Sequence, residues 1–168
     1  AWVLSNGLMR VSIVKGGGFI GEVRLTSGDE RRDINPMRVP HYQTIDPHTY
    51  QDAIHNATFG DDPHRWLHSG YLGHYVCFPW YGPPSSAAEI KAGLGNHGEA
   101  AVVPWRETGR EVNDKAAVLK IEADLPKSHF RIGRTITLPR GLQQVTFDEW
   151  VENLLDTDRT VNWMQHAT

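Results

Sequence analysis

His97 and His166 are the two residues of this chain whose type and setting best suit proton transfer. Histidine titrates near neutrality, so it can serve as acid or base without a large environmental shift. His97 lies in the run Asn96-His97-Gly98-Glu99, directly after the loop Gly93-Leu94-Gly95. His166 follows Gln165 at the end of an extended run. Glu99 reads as a partner that orients the His97 ring rather than as a base in its own right. Flat rings stand nearby in sequence: Trp80, Tyr81 and Trp105. Rings of this kind stack on the C–H faces of a sugar, while amides and carboxylates exchange hydrogen bonds with its hydroxyls. Trp80, Asn96, Glu99, Trp105 and Gln165 are therefore the expected binding residues around His97 and His166. Trp66, Trp150 and Trp163 could stack in the same way, although tryptophan is as often a core residue.

Other chemistries fit less well. A cupin-like metal site would need a second histidine two residues from the first, and the chain contains no such pair. His41, His48, His55, His64 and His68 read as polar loop histidines. The single cysteine, Cys77, rules out an internal disulfide and an all-cysteine zinc site. Flanked by Val76 and Phe78, it reads as a buried structural thiol rather than a nucleophile. Glu149 and Glu152 share a strand in which Trp150 and Val151 are expected to turn inward. They then face solvent and do not form a glycosidase carboxylate pair. No metal and no cofactor is expected.

The elements that must position these groups read as strands. Residues 2–14 alternate around Asn6-Gly7, a hairpin signal. Residues 19–25 alternate again after Gly16-Gly17-Gly18. The run Tyr75-Val76-Cys77-Phe78 is stopped by Pro79, which lacks the N–H of a ladder. A loop follows, with one short helical turn expected within residues 85–94. Residues 100–103 form another apolar run. Residues 116–125, 130–138, 144–153 and 160–166 complete the strand set, with Pro139-Arg140-Gly141 as a hairpin turn. Residues 33–72 break the pattern. The pairs Asn35-Pro36, Val39-Pro40, Asp46-Pro47 and Asp62-Pro63 all favour turns or extended backbone. That stretch is expected to fold over one end of a sheet. No segment carries a clear 3.6-residue apolar stripe, so the fold class is all-β, an antiparallel β-sandwich.

The 168 residues suffice for one domain with a core, and the net charge of −3 comes with scattered Lys and Arg. Neither a nucleic-acid patch nor a membrane-spanning run is present in the sequence. No leader reads in this stretch, which slightly favours a cytoplasmic setting. The expected partner is a small-molecule sugar.

Four pieces in order resemble the galactose-mutarotase-like superfamily, which includes the aldose 1-epimerases and hexose-6-phosphate mutarotases. Leu4, Asn6, Gly7 and Gly16-Gly17 resemble its first hairpin, and Asn35-Pro36 its early loop. Cys77-Phe78-Pro79-Trp80-Tyr81-Gly82, followed by His97-Gly98-Glu99-Ala100 and Trp105, is similar to its central pattern. Val151-Glu152-Asn153, followed by Gln165-His166-Ala167-Thr168, resembles a late strand pair. The resemblance implies a β-supersandwich and a sugar cleft with two histidines. It gives His166 the role of general acid at the ring oxygen and His97 that of polarising the sugar. It also implies a catalytic glutamate later in the chain than Thr168. Ala101 stands where the hexose-phosphate relatives carry Arg, and no Arg closely precedes Cys77, so a phosphorylated sugar is not the expected substrate. On this reading residues 1–168 are one β-sandwich domain, the N-terminal half of a larger one. The missing half or a second copy is its expected structural partner, and without it the chain is inactive. The alternative is a carbohydrate-binding or structural sandwich without catalysis.

Overall fold

The structure, a computed structural model, describes residues 1–62 and 64–168; Pro63, half of one expected turn, lies outside them. Strands β1 (Trp2–Ser5) and β2 (Met9–Ile13) pair across Asn6-Gly7. The Asn6 side chain closes the turn by accepting from the Leu8 and Met9 amides at 3.0 and 2.8 Å, and Gly7 takes a φ of 84°. Strand β3 (Ile20–Leu25) completes an antiparallel sheet of order β1-β2-β3.

A second sheet is the meander β5 (Arg106–Val112), β6 (Ala116–Leu125), β7 (Phe130–Pro139) and β8 (Thr146–Asn153). A two-stranded sheet pairs β4 (Tyr75–Cys77) with β9 (Met164–His166), antiparallel. The larger sheets share one core. Leu4, Val11 and Ile13 from the first meet Leu119, Ile121, Ile132, Ile136 and Leu138 from the second, all buried. This is an all-β sandwich, as the alternation predicts.

Strand β4 belongs to both sides of the molecule because successive side chains point oppositely. Val76 and Phe78 enter the main core, while Tyr75 and Cys77 enter a smaller cluster with Phe19, Leu67 and Ala101. The second cluster is the floor beneath the site.

Several expectations need correction. Residues 33–72 hold two helices, α1 (Asp52–Phe59) and α2 (Arg65–Gly70). No residue of α1 is buried, and α2 has only six residues, so neither could print a long apolar stripe. The two are tied by Arg65, which donates from Nε and Nη2 to the two carboxylate oxygens of Asp52 at 3.0 and 2.9 Å. The expected helical turn is α3 (Ala87–Lys91), opened by a reciprocal Ser86–Glu89 capping box. Ala100–Val102 is a 3₁₀ turn rather than a strand. Strand β5 was not expected, because its sequence RETGREV lacks apolar alternation. It is an outer strand held by its ladder to β6, and its charges suit an edge. The last strand is shorter than the expected 160–166.

The inward row of β7 is Phe130, Ile132, Arg134, Ile136 and Leu138, so Arg134 sits in an apolar row and is 1% exposed. Its partner is Glu149, directly opposite on β8, accepting from Arg134 Nε at 2.6 Å. Glu149 therefore faces inward beside Phe147, which corrects the expectation that it faces solvent. Trp150 turns outward and lies over Gly133, where a β-carbon would come within 2.2 Å of its ring.

Candidate functional site

The loop carrying His97 runs back alongside the end of β4. The Glu99 amide donates to Phe78 O at 2.8 Å, and the His97 amide donates to Gly82 O at 2.8 Å. This close approach requires glycine at position 98. Its φ is 81°, and a β-carbon there would come within 2.2 Å of Phe78 O. His97 itself has a φ of 64°, the left-handed region, which costs a non-glycine residue of order 1–3 kcal/mol. The packing of the loop holds it there. Strain of that kind is most often found where a side chain must be aimed.

His166 reaches the same place from β9, where it is paired with Tyr75 of β4. Its ring stacks on the Tyr75 ring, with centroids 4.7 Å apart and planes 13° apart. The His97 and His166 rings stand 5.4 Å apart and nearly perpendicular, at 77°. Tyr81, 54% exposed, forms a lip with its ring 5.0 Å from His97 and 6.5 Å from His166. The two histidines open on a cleft of about 340 Å³, which Asn96 also lines.

Sequence reasoning missed the opposite wall. Arg38, Tyr42, His68 and Tyr71 face the histidines. The Arg38 guanidinium lies 4.7 Å from the centre of the Tyr71 ring. His68 is brought in by α2, and Arg38 by the loop after Asn35-Pro36. Neither position carries a local signal, because their neighbours in space come from distant segments. Arg38 places one positive charge on this wall, and no carboxylate lines the cleft among the described residues. Burial first, then the nearby His166, His64 and His68, push the His97 pKa below its ordinary value, which favours a neutral ring.

Four expected binding residues are placed elsewhere. Glu99 is 2% exposed and does not touch His97. Its carboxylate accepts from the Lys127 and Ser128 amides and the Ser128 hydroxyl at 3.0, 2.9 and 2.7 Å, pinning the loop to the β6–β7 turn. Trp105 is a core residue, and its Nε1 donates to Ala100 O at 3.0 Å. Gln165 points to the other face of β9, as strand alternation demands, and bonds to Glu149 there. Trp80 lies beside the loop and donates from Nε1 to Gly95 O at 3.2 Å, outside the cleft lining. Of the expected set, His97, His166 and Asn96 come together. Cys77 is buried below them, and burial pushes its thiol up to about 12.

Among the described residues, no three His, Cys, Asp or Glu side chains gather in a way that could hold a metal ion. No helix among them is long and apolar enough to cross a membrane.

No family model matches the chain, and no curated protein matches it. One solved structure does: a "putative mutarotase (YeaD) from Salmonella typhimurium", 15% identical, with a TM-score of 0.53. This is a galactose-mutarotase-like fold. The likeness covers 82% of this chain and 39% of that one. At this identity it speaks for the fold alone, and the site rests on its own geometry.

Proposed function

We propose that the cleft binds an aldose and takes part in interconverting its α and β anomers. The observation that carries this reading is the pair of imidazoles, His97 and His166, crossed at 5.4 Å over an aromatic floor in a sugar-sized cleft. In mutarotation a base removes the proton of the anomeric hydroxyl while an acid protonates the ring oxygen. The C1–O5 bond breaks, its electrons go to O5, and C1 becomes an aldehyde. Rotation about C1–C2 and reclosure give the other anomer. His166 takes the role of acid at the ring oxygen. His97, neutral, donates a hydrogen bond to the ring oxygen or an adjacent hydroxyl. The Tyr71, Tyr75 and Tyr81 rings supply the apolar surface. Arg38, which lies outside the motif positions that lack arginine, favours an aldose bearing an anionic substituent over the neutral sugar expected from the sequence.

The second reading, a sugar-binding module without catalysis, is favoured by one observation: among the described residues the cleft lining offers no carboxylate as base. On the first reading the base would be supplied from outside these residues. Exchange NMR on anomeric protons separates the two. Acceleration of α/β exchange for a free or phosphorylated aldose supports catalysis. Chemical-shift changes at His97 and His166 without acceleration support binding only. Neither effect with any common aldose would refute both.

A further inference from the structure

We infer that Cys77 is a positioning residue for His97: its thiol, together with the Gly82 amide, fixes the proton of the imidazole on Nε2. The inference deepens the proposed sugar site and rests on that reading only for its catalytic consequence. The geometry is local. His97 Nδ1 accepts from the Gly82 N–H at 3.3 Å and lies 3.5 Å from Cys77 Sγ.

The direction of both contacts follows from one of them. A backbone amide can only donate, so Nδ1 facing Gly82 must carry a lone pair. The neutral ring then bears its proton on Nε2. The thiol, facing the same lone pair, must donate as S–H. Cys77 suits that role because it is fully buried, in a cluster with Phe19, Leu67 and Ala101, where a thiolate is disfavoured. The ionised pair of a cysteine nucleophile is thereby disfavoured, as the buried thiol requires. The rings of Tyr75, Tyr81 and His166 stand 6.0, 5.0 and 5.4 Å from that of His97. The Glu99 carboxylate, two residues on, is taken up by Lys127 and Ser128. Burial, then His166, His64 and His68, all lower the His97 pKa, so its neutral form is favoured. Protonating Nδ1 would also set a proton against two donors. The consequence is a neutral histidine whose proton on Nε2 is available as a donor to the cleft.

The test is nitrogen-15 NMR of the histidine rings in the wild-type chain and in Cys77→Ser, Cys77→Val and Cys77→Ala. The wild type should show His97 as the Nε2–H tautomer. Cys77→Ser, which keeps a donor, should match it. Cys77→Val keeps volume but no donor. It should raise the Nδ1–H fraction about two- to fivefold, the effect of one weak hydrogen bond, and move the His97 titration to higher pH. Cys77→Ala should do the same, and serves if valine does not fold. A wild-type ring protonated on Nδ1 would overturn the proposal outright. So would a tautomer ratio and titration unchanged in the donorless variants. Sugar exchange measured on the same samples keeps the two claims apart. The tautomer result without exchange would remove the catalytic reading and leave the positioning intact.

Discussion

Replacing Arg134 by methionine probes the buried ion pair between β7 and β8. Arg134 Nε donates to Glu149 at 2.6 Å and Nη1 donates to Gly18 O at 3.0 Å, while its guanidinium lies 5.4 Å from the Trp105 ring centre. Burial pulls the Arg134 pKa below its usual value, with Glu149 opposing the shift. The charge persists because free arginine titrates far above neutrality. Methionine restores much of the volume, so the cavity cost is small. What is lost is the partner of Glu149, whose side chain is only 10% exposed. Breaking such a pair from one side costs about 3–5 kcal/mol, because the remaining carboxylate stays buried. For a chain of this size that is about 6–20 °C in Tm. Adding Glu149→Gln removes the stranded charge and keeps an amide for Gln165, so the double variant should recover at least half of the loss. Urea melts at pH 7 with constant m values give these differences. A single-variant loss below about 1 kcal/mol, or a double variant at the sum of the two singles, would refute the account of a confined, mutually dependent pair.

Three further outcomes are expected. Gly98→Ala forces a β-carbon onto Phe78 O at a positive φ; it should cost at least about 2 kcal/mol in a denaturant melt and displace the His97 resonances. In the protein that carries the proposed activity, His166→Ala should lower anomer exchange about 10²–10⁴-fold while altering sugar affinity less, read by exchange NMR and calorimetry. Stability should fall on mild acidification. The His97 and His74 pKa values are both lowered, chiefly by burial, so the unfolded chain takes up protons first. Their contribution is complete above the unfolded value of about 6.5 and is lost as pH falls through the folded values. A pH series of Tm checks this, with His97→Gln and His74→Gln each flattening the slope.

The hairpin at Asn6-Gly7, the pairing of β7 with β8 across Pro139-Arg140-Gly141 and the break at Pro79 were legible because each depends on short-range chemistry. So was the burial of Cys77, from its apolar neighbours. Strand β5 was not, since an edge strand needs no apolar face. Arg134 shows a different limit. Its place in the alternation of β7 already put it in the inward row, but only Glu149, 15 residues on in the ladder, makes that placement stable. Glu99 shows the same limit in reverse: its spacing from His97 suggested a partner, while its actual partners lie in the Lys127-Ser128 turn. His97 and His166 were identifiable by type and by resemblance. Arg38 and His68 entered the cleft through long-range folding of residues 33–72, which local patterns cannot encode.

Strand β9 is three residues long and follows the stretch 154–163, which carries no regular structure. Beyond its ladder to β4 and the His166 stack on Tyr75, its anchors include Gln165 on Glu149, Thr168 on Arg38 N and Gly73 O, and the neighbouring Asn162 and Trp163 on Pro79 O and the Phe78 ring. A three-residue ladder is short beside the ten-residue ladder of β6 with β7, which makes this strand a unit of lower opening free energy. Its release would carry His166 away from His97 while leaving the two large sheets intact. Heat or mild denaturant should therefore silence the site before the sandwich melts, with the amides of residues 164–166 exchanging with solvent well ahead of those in β6 and β7. A sugar lodged between the two imidazoles would act as a rivet across that seam and slow the exchange, so occupancy of the cleft can be read from the backbone of a strand whose peptide groups it need not touch.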